Sequence, residues 1–214
     1  MTEAGVELEL SGDAMRELVA RAMDRIIPHV TSLPAQPPAD VLAAAEMARA
    51  LREPRPPESG LPFADILSLL FDRAVPKSFN SAGPGYMAYI PGGGLFASAV
   101  ADLISESVNR YTGVWAAAPA LVQLETNVVR WFCGIVGYSP AAGGILTSGG
   151  SLANFSAVVT ARRERLPEDF LKGTLYVSEE CHHSVRKAAM LAGLSVLRVP
   201  AICEGQQAVL AVAV

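Results

Sequence analysis

The segment Thr147-Ser148-Gly149-Gly150-Ser151-Leu152-Ala153-Asn154 joins a short apolar run to a helical pattern, and its residue types suit the capture of an anion. Where a strand turns into a helix, unpaired N–H groups and the positive end of the helix dipole point the same way. Gly149 and Gly150 let the backbone close around a phosphate with no Cβ in the way, Ser151 adds a hydroxyl donor, and Ser148 is placed to cap the helix. A second group, Cys181-His182-His183-Ser184, opens the next helix just after the next strand. In a parallel sheet the carboxyl ends of neighbouring strands share one edge, so His182 and the Gly149 turn are expected to face one crevice. An imidazole there can stack on an aromatic ring or carry a proton near neutral pH. The blander reading is a tight glycine connection and a histidine that only caps a helix.

Other constellations carry less. Gly149-Gly150-Ser151-Leu152-Ala153 approximates the G-x-S-x-G elbow of a serine hydrolase, with Ser151 as nucleophile and His182 as base, but Ala153 stands where that motif has Gly. Gly83-Pro84-Gly85-Tyr86-Met87-Ala88 matches a dinucleotide fingerprint in letters only, because no strand precedes it and Pro84 sits inside the turn. Glu179, Glu180, Cys181, His182 and His183 are adjacent on one element and cannot readily converge on one ion, and Cys203 is a distant thiol, so no metal site is expected. Trp131 and Phe132 read as core.

Helices and strands must position these residues. Apolar spacing predicts an amphipathic helix from Asp13 to about Val30, a second from Asp40 to Leu51 and a third from Phe63 to Ala74, joined by proline-rich links. Each has one apolar face and little to cover it, so residues 1–75 read as a docking or dimerisation arm. Tyr86 to Ile90 is expected to be extended between two glycine-proline turns. Helices follow over Leu95–Tyr111 and from Pro119 until Gly137 ends the second. Beyond Gly143-Gly144 the pattern alternates: strand Ile145–Thr147, helix Ser151–Arg165, strand Thr174–Ser178, helix His182–Ala192, strand Ser195–Val199. That is a βαβαβ unit with parallel strands, and three such strands need further layers to be covered.

Composition bounds the function. A net charge of −4 with no Lys/Arg block argues against a nucleic-acid surface. No apolar run reaches the length of a membrane span, and Met1-Thr2-Glu3-Ala4 does not open a secretory signal, so a cytoplasmic protein is expected. Three cysteines without C-x-x-C spacing fit reduced thiols.

With these residues in view the chain resembles the group II pyridoxal-phosphate-dependent amino acid decarboxylases, which include the aromatic amino acid, glutamate and cysteine-sulfinate enzymes. The resemblance runs from about Asn80 to Val199. It is carried in order by Gly85-Tyr86-Met87-Ala88-Tyr89-Ile90-Pro91, by Trp115-Ala116-Ala117-Ala118-Pro119 with Leu124-Glu125, by Thr147 to Asn154, and by His182 with Ser184 and Lys187-Ala188. It implies an α/β chain of the aspartate aminotransferase-like fold (type I). A helical arm (1–75) would precede a partial, mainly parallel-sheet, three-layer large domain (76–214) that is incomplete at its C-terminus. By position, Gly149 would shape the cofactor turn, Gly150 and Ser151 would hold the phosphate of pyridoxal 5'-phosphate, and His182 would stack on its ring and take part in protonation. Tyr89 and Pro91 would line the amino acid pocket, and Tyr111 would reach it across a homodimer interface. The family's cofactor-anchoring lysine and its ring-nitrogen aspartate lie beyond the matched part, and Lys77, Lys172 and Lys187 are outside the lysine context. After Pro200 the resemblance stops, and the apolar tail Ala208–Val214 would aggregate or add to a sheet edge if exposed. The expectation is a truncated decarboxylase, inactive alone, with a non-catalytic dimerisation fragment as the alternative.

Overall fold

The computed structural model describes residues 9–170, 173–199 and 211–213. They form two compact units that divide between Asn109 and Arg110.

In the first unit, helix α1 (Gly12–Ser32) starts where Ser11 caps it, its hydroxyl accepting from the Ala14 N–H at 3.2 Å. It continues through Pro28, and none of its residues is buried. Helix α2 (Ala44–Ala50) is shorter than its apolar pattern suggests, because the chain enters it through Ala43 in the left-handed region at φ 60°. Helix α3 (Phe63–Ser68) widens into a π-helical stretch over Leu69–Ala74 and then tightens at Val75–Lys77, where Pro76 cannot continue it. Cations of α1 hold this segment: Arg25 pairs with Asp72 and also lies over the Phe71 ring, and Arg21 lies over Phe63. Leu67 is buried. Lys77 reaches Asp40 at 2.7 Å, and its ammonium hydrogen bond holds the Asp40 carboxyl below the ordinary carboxylate range.

The expected extended piece ends early. Tyr89 and Ile90 lie at φ 60° and 50°, so the chain bends instead of running straight into Pro91. For a β-branched residue this conformation is strained. Helix α4 (Phe96–Val108) follows and stops where Asn109 adopts the left-handed conformation, short of Tyr111.

The second unit opens with helix α5 (Pro119–Ile135), proline at its first position. Gly137 ends it at φ 80°, letting the Tyr138 N–H donate to the Cys133 carbonyl and the Gly137 N–H to the Gly134 carbonyl. Trp131 and Phe132 are 66% and 58% exposed, not core as expected. The reason is where the core forms: Val158, Leu166, Leu175, Val177, Ala188, Ala189, Ala192 and Leu194 come from helix α6 (Gly150–Arg165), strand β1 (Thr174–Ser178), helix α7 (His183–Leu191) and the turns between them. Helix α5 contributes no buried residue to it.

The sheet corrects two further expectations. Residues 145–147 form no strand. β1 pairs in parallel with β2 (Ser195–Val199) as expected, but its other edge is taken by β3 (Ala211–Ala213), which runs antiparallel in the order β2-β1-β3. An antiparallel return needs no helical crossover, so a short apolar segment can fill an open edge that a parallel strand reaches only through a longer connection. Of the tail, Ala211–Ala213 pairs with the edge of β1. Cys203, Lys172 and residues 200–210 lie outside the described residues.

Candidate functional site

Helix α6 begins without a side-chain cap. Gly149 is its N-cap, in extended backbone at φ 165° and ψ 167°, and its carbonyl accepts from the N–H groups of Leu152 and Ala153, each at 3.1 Å. Ser148, expected to cap, makes no such bond: Gly149 holds the cap position, leaving Ser148 one residue too early. The Thr147 hydroxyl donates instead to the Gly149 carbonyl at 3.1 Å. Among the described residues the first amides of the helix, Gly150 and Ser151, have no hydrogen-bond partner. A Cβ built at Gly149 or at Gly150 meets no atom within 4 Å. Two free donors and the positive end of the helix dipole meet at this uncrowded turn, which fits an anion such as a phosphate ester.

His182 is the N-cap of α7, its Nδ1 accepting from the Ser184 N–H at 3.3 Å. The same Nδ1 lies 2.7 Å from the Ser184 hydroxyl, and that hydroxyl accepts from Nδ2 of Asn154 at 2.8 Å. Ser184 is 3% exposed, while His182 is exposed and lies 4.1 Å, ring to ring, from His183.

These contacts fix how the two helices lie. Asn154 meets Ser184 near the start of both helices, and Arg162 donates to the Ala192 carbonyl at 2.5 Å where α7 ends. Both links span thirty residues, so α6 and α7 run side by side in the same direction. Their N-termini therefore share one end, and the Gly149–Ser151 amides and the His182 imidazole sit at that end. Arg162 also stacks on Phe170 at 4.1 Å, and the Ala and Val residues between the helices close the seam.

Tyr111 belongs to the same unit and is 68% exposed. Tyr89 and Pro91 belong to the first unit, Tyr89 being 88% exposed. The structure thus brings together Asn154, His182 and Ser184 on the helix pair headed by Gly149. Among the described residues no hydrogen bond joins Ser151 to His182, whose Nδ1 is engaged by Ser184. Nor do three His, Cys, Asp or Glu side chains among them form a metal-binding group. Sequence reasoning missed the tie through Asn154 and Ser184, although a serine two residues after a histidine at a helix start was a usable signal for it. It also missed a cleft of about 540 Å³ in the first unit, lined in part by Arg25, His29, Asp40, Phe71 and Asn80.

Comparison with known proteins matches residues 46–212 to the pyridoxal-dependent decarboxylase conserved domain, a longer span at both ends than the motifs marked out. An aromatic-L-amino-acid decarboxylase of Bacillus atrophaeus is 29% identical over 186 residues, covering 87% of this chain and 38% of that protein. A human cysteine sulfinic acid decarboxylase is 37% identical over 99 residues, covering 43% of this chain and 20% of that protein. In fold, the chain is similar to the crystal structure of Catharanthus roseus tryptophan decarboxylase in complex with L-tryptophan, with a TM-score of 0.77 at 22% identity, covering 89% of this chain and 43% of that one. The chain spans less than half the length of these relatives.

Proposed function

Because this chain belongs to the pyridoxal-dependent decarboxylase family, we propose that it supplies the phosphate and ring contacts of a pyridoxal 5'-phosphate site in an amino acid decarboxylase. The observation that carries this reading is the shared end of α6 and α7, where, among the described residues, the Gly150 and Ser151 amides have no partner and the His182 imidazole is tied to α6 through Ser184 and Asn154. The Gly150 and Ser151 amides, with the Ser151 hydroxyl, receive the phosphate, and Gly149 keeps the approach clear of side chains. His182 offers its ring face to the cofactor and delivers a proton from Nε2. The cofactor, when bound, supplies the electron sink that lets an amino acid lose carbon dioxide. Tyr89 and Pro91 line the amino acid pocket, and Tyr111 reaches it across the homodimer interface.

Of the lysines, Lys77 is engaged by Asp40, Lys187 is exposed on α7, and Lys172 lies outside the described residues. We therefore assign non-covalent contacts to these residues and no covalent anchor. The arm of residues 1–75 serves a homodimer, a reading supported by α1, which exposes Met15, Leu18, Val19 and Ile27. Residues 76–214 serve as part of the cofactor domain. A cytoplasmic setting agrees with the free thiols of Cys133 and Cys181, and no helix among the described residues is long and apolar enough to cross a membrane.

Titrating the chain with pyridoxal 5'-phosphate and with pyridoxal tests the reading. Tighter binding of the phosphorylated form, weakened by His182→Ala, is expected; equal binding of the two would overturn it. Carbon dioxide release from a panel of amino acids then reports whether catalysis accompanies binding.

A further inference from the structure

We infer that Asn154 and Ser184 are positioning residues that hold the proton of the neutral His182 ring on Nε2. The inference rests on the reading of His182 given above, but its geometry is independent of any cofactor. A backbone N–H can only donate, so the Ser184 N–H, 3.3 Å from Nδ1, requires Nδ1 to be an acceptor. The Ser184 hydroxyl lies 2.7 Å from the same nitrogen, and with Nδ1 unprotonated the bridging hydrogen has to be the hydroxyl's own. Having given its hydrogen to Nδ1, that hydroxyl can only accept from Asn154, so the amide of Asn154 must present its nitrogen, as observed at 2.8 Å. The direction of donation then runs one way, from Asn154 through Ser184 to His182.

Burial makes this chain selective. Ser184 is 3% exposed, so water competes poorly for its hydroxyl, and a reversed hydrogen would leave the Ser184 N–H facing a protonated Nδ1. The exposed edge of the ring therefore carries N–H at Nε2. Nδ1 is spent on the helix cap and the hydroxyl. Asn154 stands one turn inside the helix headed by Gly149, so the same residue that sets the tautomer couples the ring to the anion-binding end of α6.

The test is ¹⁵N NMR of the histidine rings in the full chain without cofactor. Wild type should show a pyridine-like Nδ1 and a protonated Nε2 at residue 182. Asn154→Asp is close in shape but accepts only, so it should draw the Ser184 hydrogen to itself and move the tautomer ratio toward Nδ1–H by about two- to tenfold, the effect of one net hydrogen bond. Ser184→Ala should move the ratio the same way, and Ser184→Thr, which keeps a hydroxyl, should restore it. Thermal unfolding identifies any variant that fails to fold, and Asn154→Asp with Ser184→Thr keeps the comparison valid if Ser184→Ala is lost. A ratio unchanged in Asn154→Asp, or a wild-type ring protonated at Nδ1, overturns the inference. The outcome is separable from the proposed function, because an altered tautomer with unaltered cofactor binding in His182→Ala would leave this relay standing and remove its use.

Discussion

Adding one methyl group at Gly149 or Gly150 separates binding from folding. In the structure a Cβ at either position meets no atom within 4 Å, and Gly149 lies in extended backbone that any residue adopts. Gly149→Ala should therefore cost no more than about 1 kcal/mol, the loss of placing alanine where glycine is the better N-cap. Gly150 is the first residue of α6, where alanine is the better helix former, so Gly150→Ala should be neutral or stabilise by up to about 1 kcal/mol. Binding should respond in the opposite sense. The methyl group would occupy the approach to the Gly150 and Ser151 amides, and losing one hydrogen bond to a charged group costs about 1.5–3 kcal/mol. At 1.4 kcal/mol per decade, affinity for pyridoxal 5'-phosphate should fall about ten- to hundredfold. Affinity for pyridoxal, which has no phosphate, should stay near wild type. Urea unfolding and fluorescence titration with both ligands provide the assay. Wild-type affinity for the phosphorylated ligand in both variants would refute the phosphate cradle, and a stability loss above about 1 kcal/mol would refute the claim that the space is open.

Leu175 is fully buried at the centre of the core, and Leu175→Ala should cost about 2–5 kcal/mol by denaturant unfolding. At Gly173 a Cβ would collide with the Leu166 side chain and come within 2.9 Å of the Phe170 carbonyl, which is backbone and cannot swing aside; Gly173→Ala should cost about 1–3 kcal/mol in the same assay. Arg162→Met should lower the unfolding midpoint by loosening α6 from α7, since it removes both the Ala192 hydrogen bond and the charge over Phe170. For Asp40 the folded carboxyl titrates below its unfolded value because Lys77 donates to it, so its stabilising contribution is present above the ordinary carboxylate range and lost as the pH falls through the folded value. Wild type should thus unfold later than Asp40→Asn at neutral pH, and the two curves should converge in acid; curves equally separated at both pH values would contradict that sign.

Much of the second unit was legible because its signals are local. Thr174–Ser178 and Ser195–Val199 are short β-branched runs, and both strands have the expected bounds. The Gly149 turn and the His182 helix start were legible for the same reason, as changes of period marked by glycine and by a polar cap. What was not legible depends on partners distant in sequence. Whether 145–147 becomes a strand depends on a pairing edge, and β3 occupies one edge of β1 from far downstream. Trp131 and Phe132 carry a helical apolar stripe that looks like core, but periodicity states which face is apolar, not what covers it. Tyr89 and Ile90 escaped because nothing in their side chains favours a left-handed backbone; Asn109, a residue that tolerates it, is a case the pattern could have marked. The Asn154–Ser184 bond needed the helix pair to be known first.

The turn at Gly193 mirrors that at Gly137: at φ 75° it lets the Leu194 N–H reach the Ala189 carbonyl and the Gly193 N–H reach the Met190 carbonyl. A nine-residue helix would fray in water if left loose, yet α7 is stitched at its tail by this glycine and at its head by an imidazole. The ring at 182 is thereby tied through Nδ1 to the helix it caps, like a handle welded to a lever. Slow hydrogen exchange along Val185 to Ala188 should therefore go together with a ring held in one orientation before any ligand arrives.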